Sequence, residues 1–107
     1  MNDDGKMKEY KSFDEFYPFY LSQHQNIMSQ RLHFIGTALA CLFFLFFLFT
    51  GHLTWLLLMI IAGYGPAWIG HFVYEKNQPT TLAYPIYSLM ADFVMFWEVV
   101  RGQRKIF

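Results

Sequence analysis

Apolar and polar positions fall into long blocks along this chain rather than alternating. From Phe34 to Tyr74 there is no Asp, Glu, Lys or Arg, and from Asn77 to Val100 there are only Asp92 and Glu98. Blocks of this kind predict helices that cross a membrane. Phe34 to Thr50 is the first candidate, 17 residues or about 25 Å as a helix, and extension back toward Leu32 supplies the missing length. Gly51-His52 is a tight break, and a second span runs from Leu53 to about Val73. So short a connection makes the two an antiparallel hairpin. Pro66 should kink the second helix by removing the bond to the Ala62 carbonyl. Ala62, Gly63, Pro66, Ala67 and Gly70 form a small-residue strip that lets another backbone approach. Asn77-Gln78-Pro79-Thr80 is a turn, and the segment from Thr81 to Val100 is the third apolar block.

Ahead of these spans, residues 1–11 are polar and predict a disordered N-terminus. Ser12 and Glu15 have capping-box spacing, and a short helix should follow, with Phe13, Phe16, Tyr17, Tyr20 and Leu21 on one side. Pro18 argues against a regular helix here unless the helix begins near Tyr17. The aromatic face suits either the membrane interface or packing on the chain's own domain. The expected fold is all-α: one membrane-embedded helical domain over 12–107, a small integral bundle of about three transmembrane helices with an N-terminal interfacial amphipathic helix.

Composition agrees with that class. The 107 residues are 55% hydrophobic and 21% aromatic, and only 15% are charged, against roughly 25% in soluble domains. Zero formal net charge argues against a nucleic-acid partner. The lone Cys41 lies in an apolar run and cannot form an internal disulfide. Lys6, Lys8, Lys11, Arg31 and Lys76 share one side; with three spans, Arg101, Arg104 and Lys105 lie on the other, which mildly favours a cytoplasmic N-terminus.

Candidate chemistry starts at the end of the second span. In a regular helix Tyr64, Trp68, His71 and Glu75 share one stripe, and such a stripe should face protein or a water-filled site rather than lipid. The hairpin also sorts the histidines. His24 and His33 precede the first span and His71 ends the second, so these three and Glu75 meet at one face. His52, at the hairpin tip, is left about 30 Å away. Three histidines and a carboxylate can hold Fe, Zn, Cu or Ni, with open positions of the kind non-haem Fe(II) oxygenases use. Interfacial histidines bonded to headgroups and backbone are the alternative. Asp92 is an intramembrane carboxylate, a functional-site candidate expected to face the bundle interior. Arg31 is either a snorkelling residue or a carboxylate contact.

Four blocks carry a family resemblance: Tyr20-Leu21-Ser22-Gln23-His24, Arg31-Leu32-His33-Phe34-Ile35-Gly36, the run from Trp68 through Gly70-His71-Phe72 and Glu75-Lys76-Asn77 to Pro79, and Pro85 to Phe93 with Asp92. Together they resemble the yeast-type 2-hydroxy fatty acid (2-hydroxypalmitate) dioxygenase family, over roughly Phe13 to Gly102. The resemblance implies an Fe(II)-dependent dioxygenase of fatty acid α-oxidation, which uses O2 to convert a long-chain 2-hydroxy fatty acid to an aldehyde one carbon shorter. It places the family's metal ligands on His24, His33 and His71. Glu75, Asn77 and Asp92 match motif positions. The expected roles are catalytic for Glu75, Tyr64 and Asp92, and substrate-binding for Arg31, Trp68 and Asn77. The expected location is an integral membrane one, the endoplasmic reticulum in a eukaryote or the inner membrane in a bacterium, in contact with membrane lipid. Oligomerisation is left open.

Two other classes compete. A non-catalytic membrane scaffold or lipid-interaction module would use the polar stripes only to join helices. A haem protein with two axial histidines is a further alternative, whereas the membrane diiron oxidases need more histidines than the four present.

Overall fold

The computed structural model describes residues 10–107; the expected disorder of residues 1–9 lies outside the described residues. Helix α1 spans Phe13–Ser22, α2 Ile27–Thr50, α3 Thr54–Ile69 and α4 Pro85–Val100. A π-helical segment, Gly70–Glu75, continues α3, and a short 3-10 turn, Thr80–Leu82, leads into α4. There is no strand among the described residues.

The hairpin of α2 and α3 is the body of the molecule. Gly51 closes α2 in the left-handed region at φ 74°, where a Cβ would be strained, and its N–H bonds the Phe47 carbonyl. His52 is exposed at the tip. The two helices approach closely at small residues. A Cβ on Gly36 would sit 2.8 Å from the Ala62 carbonyl oxygen and 3.1 Å from that of Gly63. Ala62 is the carbonyl that Pro66 deprives of its helical donor, so the freed oxygen faces the bare backbone of Gly36. One level down, Gly63 opposes Ala40, and one level up, Gly70 lies against Ser29.

Among the described residues, two helices are long and apolar enough to cross a membrane by length and composition: Ile27–Thr50, and Thr54–Glu75, which is α3 with its π extension. Large apolar side chains such as Leu48, Phe49, Leu57 and Ile61 are exposed on them. α4 has 16 residues, about 24 Å, which is short of a ~30 Å hydrocarbon core. Its carboxylates are taken up by α1: Tyr20 donates to Asp92, and Tyr17 donates to Glu98 at 2.7 Å. Beyond α4 the chain turns back. Arg31 Nε donates to the Ile106 carbonyl, and Phe34 packs on Phe96 and Phe107. The C-terminal residues therefore meet the Arg31 end of α2, instead of the opposite side that three spans require.

In α1, Ser12 caps the helix as its spacing predicts, accepting from the Glu15 N–H at 3.2 Å, while the Glu15 carboxylate takes the N–H of Lys11. Pro18 lies inside the helix rather than at its first turn; the cost is the single bond to the Asp14 carbonyl. The aromatic face is spent on α4: Phe16 and Tyr20 are buried with Ala91 and Met95. Tyr10 extends this cluster, stacking on Phe19 and meeting Phe16 edge-on.

A candidate metal centre of three histidines

His24 sits in the bend between α1 and α2, His33 two turns into α2, and His71 in the π segment. Their rings meet in pairs at 4.3–4.9 Å between centroids, and one ligand nitrogen from each can be chosen so that all lie within 4.8 Å of one another. All three are buried, at 1%, 4% and 2% exposure. The local reasons are explicit. Asn26 begins α2, its side chain capping Met28 N–H at 2.8 Å, and its own N–H is taken by the Glu75 carboxylate at 2.8 Å. That tie draws the start of α2 to the end of the π segment. Gly70 completes it: a Cβ there would lie 2.9 Å from Ser29 Oγ, so glycine lets the π segment settle on α2 beside His33.

Each of these three histidines has its Nδ1 aimed at an oxygen that can only accept. His24 Nδ1 is 2.6 Å from the Tyr20 carbonyl, and His33 Nδ1 is 2.8 Å from the Ser29 carbonyl. His71 Nδ1 is 2.7 Å from Asn77 Oδ1. The Asn77 amide has one sensible orientation, because its Nδ2 donates to the backbone and side-chain oxygens of Gln23, both at 3.1 Å. Each Nδ1 is then the protonated nitrogen, and each neutral ring presents a bare Nε2 lone pair. Burial, with His33 and His71 adding to it, lowers the His24 pKa well below the ordinary imidazole range, so the neutral ring holds at neutral pH.

His24 Nε2 and His33 Nε2 are 2.9 Å apart. With both protons on Nδ1 there is none to share, and two lone pairs face each other in a buried site. A cation removes that repulsion, and the orienting oxygens behind each ring are the usual companions of metal-ligating histidine. The donor set thus fits a transition metal. A haem is too large for rings that touch one another.

Of the remaining sequence-predicted residues, only Asn77 touches one of the three rings directly. Glu75 is bonded to Asn26 N–H. Asn77 orients His71. Arg31 holds the Ile106 carbonyl and lies over the Phe107 ring, its Cζ 5.5 Å from the centroid. Asp92 accepts from Tyr20, whose hydroxyl is kept protonated by burial and by the Asp92 charge. The expected stripe divides: His71 is buried, whereas Tyr64 and Trp68 are 39% and 37% exposed and pack on each other. Its even α-helical spacing fails at Gly70, where the turn widens into the π segment. Sequence reasoning missed Tyr20, Gln23 and Ser29. Tyr20 stacks on His24 at 4.0 Å and supplies its carbonyl. The available signal was spacing: Tyr20 and Ser29 each stand four residues before the histidine they orient.

Comparison with curated proteins and with solved structures found no match. A protein-family model described as 2-hydroxy-palmitic acid dioxygenase Mpo1-like matches residues 10–104. The match runs through all three histidines and every residue that orients them, and by it the chain belongs to the Mpo1-like family.

Proposed function

We propose that this protein is an Fe(II)-dependent dioxygenase of fatty acid α-oxidation, converting a long-chain 2-hydroxy fatty acid to the aldehyde one carbon shorter with O2 as oxidant. The observation that carries the reading is the convergence of three buried imidazoles, each with its Nδ1 on an acceptor oxygen and with one ligand nitrogen of each within 4.8 Å of the others. The family description supports the substrate class. The two apolar helices support an integral membrane location with the histidine end at the interface.

His24, His33 and His71 would hold the iron through Nε2. Bound there, the metal supplies Lewis acidity and one-electron chemistry toward O2, with open positions for a chelating hydroxy acid. The chain's own residues prepare that site. The Tyr20 and Ser29 carbonyls and Asn77 fix the tautomers. The Tyr20 ring covers one face of His24, and the buried rings keep bulk water away. Glu75 acts through Asn26 and the start of α2, as a positioning residue. The Tyr20–Asp92 pair lies behind His24 and sets the ring stacked on it.

The test is metal content together with turnover. Full-length protein is loaded anaerobically with Fe(II), given 2-hydroxypalmitate and O2, and assayed for pentadecanal by mass spectrometry. The expected result is stoichiometric iron and aldehyde, both lost in His71→Ala. Iron without aldehyde would keep the metal centre and discard the substrate. Protein that never holds iron would leave the scaffold reading, in which the polar contacts only join helices.

A further inference from the structure

An apolar groove of about 610 Å³ lies between α2, α3 and α4, within the range of small-molecule sites. Its α2 wall includes Thr37, Ala40, Cys41 and Phe44, with Leu45 beside them. The first four follow His33 at i+4, i+7, i+8 and i+11, so the groove continues the helix face that carries a metal-centre histidine. From His33 to Phe44 is about 16 Å along the axis, close to the ~15 Å depth of one bilayer leaflet's hydrocarbon. Small residues make the floor: a Cβ on Gly63 would meet only the Ala40 Cβ, at 3.6 Å. From α4, Leu89 and Asp92 complete the wall. Asp92 is the acceptor for Tyr20, and Tyr20 stacks on His24, so a second line of contacts joins the groove to the histidines. Leu89, at 47% exposed, leaves the outer side open to lipid.

We infer that this groove is the seat of a single acyl chain whose head lies at the histidine cluster, and that Ala40 and Gly63 set how long a chain it takes. The inference rests on the proposed dioxygenase reading for the identity of the head group. A chain entering from the leaflet runs over the Ala40–Gly63 floor with its methyl end toward Phe44, Leu45 and Ile60, which line the end of the groove away from His33. The carboxyl end then emerges beside Thr37, one turn from His33.

The test uses full-length protein in lipid nanodiscs and palmitic acid bearing a diazirine at its methyl end. This probe has no 2-hydroxyl, so its labelling needs neither iron nor turnover. Photolysis and peptide mapping should place adducts at Phe44, Leu45 and Ile60, competed away by excess palmitate. Leu89→Trp, on an exposed position that tolerates bulk, and Gly63→Leu, in the floor, should each lower that labelling about tenfold or more, since a pocket discriminates by roughly that factor for one misplaced methylene. In turnover, the same variants should shift preference toward shorter 2-hydroxy acids. Labelling spread evenly over the lipid-facing Phe49, Leu57 and Ile61, or unaffected by competitor, would overturn the inference even if aldehyde forms. Competed groove labelling in a protein that makes no aldehyde would keep the groove and remove the dioxygenase reading instead.

Discussion

Asn77→Ala tests the metal centre without touching a ligand atom. The substitution removes the acceptor for His71 Nδ1–H and the two donations to Gln23. His71 is 2% exposed, so water does not readily replace the lost partner. An unsatisfied buried donor costs about 1–3 kcal/mol. The ring can also rotate or change tautomer, and loss of an orienting partner typically weakens metal binding about 10–100-fold. At about 1.4 kcal/mol per tenfold, this is roughly 1.4–2.8 kcal/mol, and the two routes agree. The assay is an anaerobic Fe(II) titration against a competing chelator, with a thermal melt of the metal-free protein alongside. Gln23→Ala is the comparison: it keeps the His71–Asn77 bond and the Gln23 backbone acceptor, and should cost less than tenfold. An Asn77→Ala protein that folds and binds iron as tightly as the parent would refute the orientation argument.

Other outcomes follow from the same contacts. Gly36→Ala should destabilise the hairpin by about 1–3 kcal/mol, because its Cβ would press on the Ala62 backbone oxygen at 2.8 Å; an unchanged denaturation midpoint would show that the helices can part freely there. Tyr20→Phe removes the donor to Asp92 and should cost about 1.5–3 kcal/mol by thermal or chemical unfolding, with a parallel loss of iron affinity as the His24 ring loosens. Equal iron affinity in that variant would detach Tyr20 from the centre. Arg31→Ala should free Ile106 and Phe107, seen as faster amide hydrogen exchange at these residues with iron content unchanged. A rise in KM with these residues still protected would instead return Arg31 to the substrate carboxylate.

The hairpin was legible from the charge-free run and from Gly51-His52, and that alone brings His33 and His71 to one end while sending His52 to the other. The small-residue strip was equally readable, since close backbone approach requires residues without bulk. What stayed hidden depends on contacts far apart in the chain. Nothing in the local pattern says that Glu75 will take the N–H of Asn26, 49 residues earlier, or that Asn77 will bond the His71 ring. The even spacing of Tyr64, Trp68, His71 and Glu75 presumes a constant turn, and the π segment breaks that assumption at Gly70. α4 resembled a span by composition, yet its two carboxylates are matched to tyrosines of α1, a pairing that only the folded chain displays.

The first histidine of the centre to be synthesised is held largely by residues that come after it. His24 leaves the ribosome ahead of the hairpin, but what fixes it lies downstream: the bonds from its loop to Glu75 and Asn77, and the Asp92 acceptor that sets the tyrosine stacked on it, 72 residues after that tyrosine. Because long-range closures come late in folding, the hairpin with its π extension can bring His33 and His71 together while His24, already made, is still untied from them. The centre therefore depends on packing that reaches from α1 to α4, so a chain cut before Asp92 offers a metal ion an incomplete grip.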